Sequence, residues 1–189
     1  MDVCSFNALT QRRCGAGNDL CGLYDDHEGE YDPSGMLALV EALKAINGSL
    51  CTLLDSICLT GRKRNAMGLY EEEHLECIQA LAEALTINKT LQSLSLKDNL
   101  LGPRSASVLA VAVSIAGSRS LQTLNLSENR IGSAGAASMA EALKVSNGSM
   151  SSLDLSDNSI DSQGAAAIAQ ALTVSGLVTL NLSGIPYIC

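Results

Sequence analysis

One nine-residue pattern, returning at nearly fixed intervals, does most to restrict the folds open to this chain. It reads L-x-x-L-x-L-x-x-N in Leu91-Gln-Ser-Leu94-Ser-Leu96-Lys-Asp-Asn99 and in Leu121-Gln-Thr-Leu124-Asn-Leu126-Ser-Glu-Asn129. Met150-Ser-Ser-Leu153-Asp-Leu155-Ser-Asp-Asn158 repeats it with Met in first place, and Leu177-Val-Thr-Leu180-Asn-Leu182-Ser-Gly184 repeats it without the Asn. The starts lie 30, 29 and 27 residues apart. Leu54-Asp-Ser-Ile57-Cys-Leu59-Thr-Gly-Arg62 reads as a fifth, imperfect copy. A motif returning at such a period marks stacked supersecondary units, each burying its apolar face on the next.

A second pattern follows each complete motif. Gly135-Ala-Ala-Ser-Met139-Ala-Glu-Ala-Leu143 returns as Gly164-Ala-Ala-Ala-Ile168-Ala-Gln-Ala-Leu172, and Ser105 to Val113 is a looser copy. Upstream, Gly35 to Leu43 and Cys77 to Leu85 fit the same template. The apolar spacing is helical and Ala, the strongest helix former, dominates. Asn47-Gly48, Asn88 and Asn147-Gly148 come after these segments, where residues tolerant of the left-handed region end helices.

The strand motif has a simple geometry. Leu at positions 1, 4 and 6 is expected to point into the layer, positions 4 and 6 because residues two apart on a strand share a face, with the intervening polar residues facing out. The Asn at position 9 leaves the strand, where its amide can pair with backbone groups freed by the turn. Stacking makes a ladder of Asn99, Asn129 and Asn158. Gly132, Gly135 and Gly164 would let chain and helix lie close to the sheet. Parallel strands joined by helical crossovers follow. Helices are wider than strands, so the predicted fold is a curved α/β solenoid with the strands inside.

The composition fits. Leu, Ala and Ser supply 30, 23 and 23 of the 189 residues, while aromatics make up 3% and Trp is absent. A hydrophobic fraction of 47% excludes disorder. A net charge of −8 argues against a nucleic-acid partner, and no apolar run reaches the roughly 18 residues of a membrane span. The beginning of the chain, Met1-Asp2-Val3-Cys4-Ser5, does not read as a secretory signal. A cytoplasmic location is therefore expected, with nuclear import through Arg62-Lys63-Arg64 as the alternative. Seven cysteines at irregular spacing read as reduced thiols. The five N-x-[ST] sequons, at Asn47, Asn88, Asn125, Asn147 and Asn181, recur because the repeat does.

On these residues the chain resembles the ribonuclease-inhibitor type of leucine-rich repeat. Similar repeats occur in NOD-like receptors, Ran GTPase-activating proteins and uncharacterised algal and protist proteins. The match runs from Leu50 to Ser183 and, less regularly, from Leu20 to Asn47. It implies one domain over residues 1–189, with an irregular cap or degenerate repeat at 1–49 and a repeat with an insertion at 50–90. Regular repeats then occupy 91–120, 121–149 and 150–176, and a strand and tail occupy 177–189. The resemblance implies a binding scaffold. The leading expectation is a non-catalytic protein–protein interaction module without cofactor. The alternatives are a GTPase-activating protein for a Ran-like GTPase, or one piece of a larger NOD-like receptor-type sensor.

Two surfaces are candidates for the partner. Positions 3, 5, 7 and 8 should face the concave side, giving Ser93, Ser95, Lys97 and Asp98, then Thr123, Asn125, Ser127 and Glu128. Ser152, Asp154, Ser156 and Asp157 follow, then Thr179, Asn181, Ser183 and Gly184, with Ser56, Cys58, Thr60 and Gly61 in the imperfect copy. Asp98, Glu128 and Asp157 would form a stripe at about 4.8 Å spacing, suited to a basic partner. Interface hot spots favour Trp, Tyr and Arg, and this face has none. The tyrosines sit elsewhere: Tyr24, Tyr31 and Tyr70 lie in two irregular connections, which form the second candidate, a rim of loop insertions. Residues 1–90 hold seven basic and fourteen acidic groups, a net of −7, against five and six in residues 91–189, a net of −1. Arg62-Lys63-Arg64 could pair with Asp25, Asp26, Glu28, Glu30 and Asp32 across that rim.

Chemistry finds little support. Cys14, Cys21 and His27 are too loosely spaced for zinc, and the acidic loop around His27 does not follow the calcium-loop order. His27 and His74 stand in separate insertions, and no G-x-S-x-G, H-E-x-x-H or phosphate-loop motif occurs. Near Leu182 an exposed parallel edge would invite end-to-end self-association, with Pro186 able to blunt it.

Overall fold

A computed structural model describes residues 75–115, 120–146 and 150–184, together with Val40, Glu41, Lys44 and the backbone of Leu53–Leu54. Strands and helices alternate as the repeat dictates. The strands are β1 (Leu53–Leu54), β2 (Ser93–Ser95), β3 (Thr123–Asn125), β4 (Ser152–Asp154) and β5 (Thr179–Asn181). The helices are α1 (Leu75–Ile87), α2 (Pro103–Ile115), α3 (Gly132–Val145) and α4 (Ser162–Leu172). Val40, Glu41 and Lys44 are also helical. The strands form one parallel sheet in the order β1-β2-β3-β4-β5, and each helix packs on the next along the stack.

Register follows the motif. Leu94, Leu124, Leu153 and Leu180 pair in line, as do Ser95, Asn125, Asp154 and Asn181. The imperfect copy departs from the sequence alignment: Leu54 lies opposite Leu94, at the fourth position and not the first. With Leu54 at position 4 that unit moves by three residues, so Ser56, Cys58, Thr60 and Gly61, which lie outside the described residues, lose their assignment to positions 3, 5, 7 and 8.

The core lies between sheet and helices. Leu91, Leu94 and Leu96 are buried, as are Leu121, Leu124 and Leu126, and Met150, Leu153 and Leu155. From the helices come Ile78, Leu81, Leu109, Met139, Leu143 and Ile168, with Ala at the tight positions between layers. Short side chains set how near neighbouring helices lie. A Cβ at Gly135 would meet Ala106 Cβ of the preceding helix at 2.8 Å, and one at Gly164 would meet Ser133 Cα at 2.9 Å. These two glycines thus permit helix-on-helix contact, where the sequence suggested helix-on-sheet contact. Gly132 has open space around it and serves through its φ of +61°.

Local signals explain the helix ends. Pro103 opens α2, where its missing N–H costs nothing. Asp161 caps α4, its Oδ1 accepting from the N–H groups of Gln163 and Gly164 at 2.8 and 3.0 Å. Asn88 ends α1 differently from the left-handed stop expected of it. It is absent from the positive-φ residues, and its Oδ1 accepts from the N–H of Thr90 and of Leu91 at 2.9 and 2.8 Å. It turns the chain into the following strand motif. Asn47, Asn147 and Gly148 lie outside the described residues.

Candidate functional site

The helix-free face of the sheet is the surface that the repeat presents most regularly. At position 3, Ser93, Thr123, Ser152 and Thr179 run in register, and position 5 adds Ser95, Asn125, Asp154 and Asn181. In β2, β3 and β4 both positions are half-buried and flank a buried Leu. The residues facing outward are small and polar because the strand's period sends every large apolar residue to the helix side.

Hydrogen bonds hold much of this face in place. Asn125 Oδ1 accepts from Ser127 N at 2.9 Å, Asp154 Oδ1 from Ser156 N at 2.9 Å, and Asn181 Oδ1 from Ser183 N at 3.1 Å. Asp154 Oδ1 also accepts from Ser156 Oγ at 2.6 Å, while its Oδ2 accepts from Asn181 Nδ2 at 3.1 Å. The bond to the residue two further on curls the chain at the end of each strand. As a result Ser127 and Ser156 are buried, although alternation would have put them on the open face. Position 7 is exposed at Lys97 and Ser183.

Position 8 carries the acidic row. Asp98, Glu128 and Asp157 are exposed and adopt left-handed φ of 54°, 55° and 54°. Their N–H groups donate to Ser127, Ser156 and Ser183 carbonyls of the following units, at 2.9 to 3.0 Å. Glu128 is also paired. Lys97 Nζ lies 2.7 Å from its Oε1, with both side chains about half exposed. The hydrogen bond to Glu128, then the charge of Glu128, raises the Lys97 pKa; Asp98 and Asp154 add to this while burial opposes it. Among the described residues, four carboxylates (Asp98, Glu128, Asp154 and Asp157) thus share this face with the single ammonium of Lys97.

Behind the acidic row the asparagines join layer to layer. Asn129 Oδ1 accepts from the N–H of Asn99 and of Leu101, both at 2.9 Å. Its Nδ2 donates to the carbonyls of Leu96, Leu126 and Ser127 at 2.8, 2.9 and 3.1 Å. Asn158 repeats the arrangement with Ile131 N and the carbonyls of Leu126, Leu155 and Ser156. Asn99 Nδ2 donates to the Lys97 carbonyl. These bonds hold residues at positive φ that would otherwise be strained.

Parallel strands in motif register, helices on one face only and Asn side chains tying each turn to its neighbour together decide the architecture. The fold is a leucine-rich-repeat solenoid. The Leucine Rich repeat family model matches residues 117–140 and 146–169. No curated protein sequence matches the chain. Among solved structures, the leucine-rich-repeat fold is shared with leiomodin-1 actin-binding site 2, at 18% identity and a TM-score of 0.61, over 79% of this chain and 78% of that one. The tropomodulin C-terminal domain of Caenorhabditis elegans aligns at 19% identity and a TM-score of 0.57, over 79% of this chain and 84% of that one.

The residues of the second candidate surface, Tyr24, Tyr31, Tyr70, His27 and Arg62 to Arg64, lie outside the described residues. Cys77 is buried in α1, and the other six cysteines fall outside the described residues. Among the described residues no three His, Cys, Asp or Glu side chains converge as a metal site would require, and no helix is long and apolar enough to cross a membrane. Two features of this face went unread in the sequence. The first is the Asn or Asp at position 5 answered by Ser at position 7, and the second is the diagonal neighbourhood of Lys97 and Glu128 in adjacent motifs. Both signals are present once the copies are written one above another.

Proposed function

We propose that this solenoid is a non-catalytic binding module whose helix-free sheet face receives a basic segment of a partner protein. The observation that carries the reading is the row of three carboxylates, with Asp154 beside it, against one ammonium among the described residues, on a face held by its own hydrogen bonds. A surface fixed in advance costs little ordering on binding. Ser95, Asn125 and Asn181 supply neutral polar contacts between the charged residues. Each described unit with a complete motif is followed by an α-helix, which favours the ribonuclease-inhibitor subtype of repeat.

Charge reversal tests it: Asp98→Lys, Glu128→Lys and Asp157→Lys together should abolish capture of the partner from native lysate while circular dichroism stays unchanged. Capture that survives the triple change moves the site to the insertions. A narrower reading is favoured by one observation, that a solved structure sharing this fold carries actin-binding site 2 of leiomodin-1. On that reading the partner is actin. Co-sedimentation with filaments and a gel-shift with monomers decide it, and failure of both removes actin while leaving the basic-partner reading standing.

A further inference from the structure

Lys97 breaks the pattern of the sheet face. The other described residues at position 7 are Ser127, Ser156 and Ser183. Ser127 and Ser156 are drawn inward because Asn125 Oδ1 and Asp154 Oδ1 accept from their N–H groups. In the β2 unit position 5 is Ser95, whose hydroxyl side chain has no carbonyl or carboxylate oxygen to offer, and Lys97 stays about half exposed. Its ammonium reaches to the next unit and ends 2.7 Å from Glu128 Oε1. The acidic row is thereby divided. Glu128 in the middle holds a cation, while neither Asp98 nor Asp157 has an ion-pair partner among the described residues. Asp98 N–H donates to the Ser127 carbonyl and Glu128 N–H to the Ser156 carbonyl, so the ladder of the sheet continues to position 8. Neighbours in the row therefore lie about one strand spacing apart, and Asp98 and Asp157 two spacings, roughly 10 Å.

We propose that Lys97 sets the charge pattern this face accepts: a partner segment with two cations about 10 Å apart, seated on Asp98 and Asp157, and an uncharged stretch between them facing the Lys97–Glu128 pair. The proposal rests on the sheet-face reading above and adds the arrangement of charge on the partner. A cation brought to Asp98 or Asp157 meets a bare carboxylate. One brought to Glu128 finds that charge already offset and meets the Lys97 ammonium, and like charges placed together across an interface reject a partner. The Lys97 charge is secure at neutral pH, because the hydrogen bond to Glu128 and then its charge raise the Lys97 pKa. A chain near polyproline II carries every third side chain on one side, roughly 9 Å apart. Basic residues three apart with neutral residues between them fit that requirement. An uninterrupted basic run does not, since it places a cation against Lys97.

Titration of two capped tetrapeptides into the isotopically labelled 189-residue chain at low salt, followed by amide chemical shifts, tests it. One peptide has lysine at both ends and glycine between; the other is tetralysine. The readout is the gain in affinity from the two middle lysines. That gain should be about threefold or more larger in Lys97→Met than in the parent. Lys97→Arg keeps the charge and should keep the parent's gain. Lys144→Met removes the same charge from a pair with Glu141 on α3 and should also leave the gain unchanged. An equal rise in Lys144→Met assigns the effect to net charge and overturns the proposal. Equal gains in the parent and Lys97→Met overturn it as well; the sheet-face reading then stands if Asp98→Asn and Asp157→Asn weaken both peptides. Peptides that fail to bind, or bind regardless of those two changes, remove the sheet-face reading and this proposal with it. If peptides bind only after Arg62, Lys63 and Arg64 are replaced by Ala, the chain's own basic triplet is the occupant and the proposal falls.

Discussion

The α3 and α4 layers are nearly the same sequence in different surroundings. Leu143 is 1% exposed and Leu172 39%, and Leu153 is fully buried where Leu180 is only partly so. The Asn158 side chain ties its layer to the one before through two hydrogen bonds, from Ile131 N and to the Leu126 carbonyl, whereas the corresponding turn after β5 runs through Gly184 at φ +73°. The residues hardly change; the neighbouring layer does. In a solenoid the worth of a side chain is set largely by the unit stacked on it.

That contrast can be broken most severely at the asparagines. Asn129→Ala removes five hydrogen bonds from a buried site and leaves backbone donors and acceptors without partners. Each unsatisfied buried group costs about 1–3 kcal/mol, and partial relaxation should leave a total loss of roughly 3–5 kcal/mol in urea unfolding. A loss under about 1 kcal/mol would show that water replaces the amide and that the ladder is incidental to stability.

The Leu pair sharpens the contrast directly. Leu153→Ala should cost about 3 kcal/mol, as for a fully enclosed leucine. Leu180→Ala, at the same repeat position in the less covered layer, should cost roughly half as much. Equal losses would mean that β5 is as well covered as β4. Gly164→Ala probes the helix spacing instead. Its new Cβ would sit 2.7 Å from Ile160 Cγ2 and 2.9 Å from Ser133 Cα, and the backbone atom cannot give way cheaply. Overpacking should outweigh the gain in helix propensity, leaving a net loss of about 1 kcal/mol.

Much of this is legible in the amino-acid sequence because it is periodic. Leu91, Leu94 and Leu96 announce their inward positions through spacing, and Asn99, Asn129 and Asn158 stand in line as soon as the copies are aligned. What escapes depends on contacts between units. Ser127 and Ser156 look outward by alternation, but bonds to Asn125 and Asp154 curl the chain and bury them. Glu128 counts as a free acid until Lys97 of the preceding unit is seen beside it. Leu54 fits the motif at first position by spelling alone, and only pairing with Leu94 fixes it at the fourth. The degenerate unit misleads because one strand's pattern is ambiguous without its neighbour.

The smallest expected effect concerns the cap that starts the less covered layer. Asp161 has its pKa held below the ordinary 3.8, first by a hydrogen bond with Ser133 of the preceding layer, then by the N–H groups of Gly164 and Gln163. A carboxylate with a depressed folded-state pKa binds protons less readily when folded than when unfolded. Its contribution is therefore complete above pH 3.8 and is lost as pH falls through the lower folded value. Asn caps helices about as well as Asp but does not titrate, so Asp161→Asn separates charge from capping. The parent should melt slightly above the variant at pH 6, and the gap should close as pH drops below 3.8. Ser133→Ala should narrow the pH 6 gap, since it removes the largest cause of the shift. A gap independent of pH would show that the cap works as a neutral hydrogen-bond acceptor, and that the tie from α4 back to Ser133 of α3 carries no charge-dependent stability.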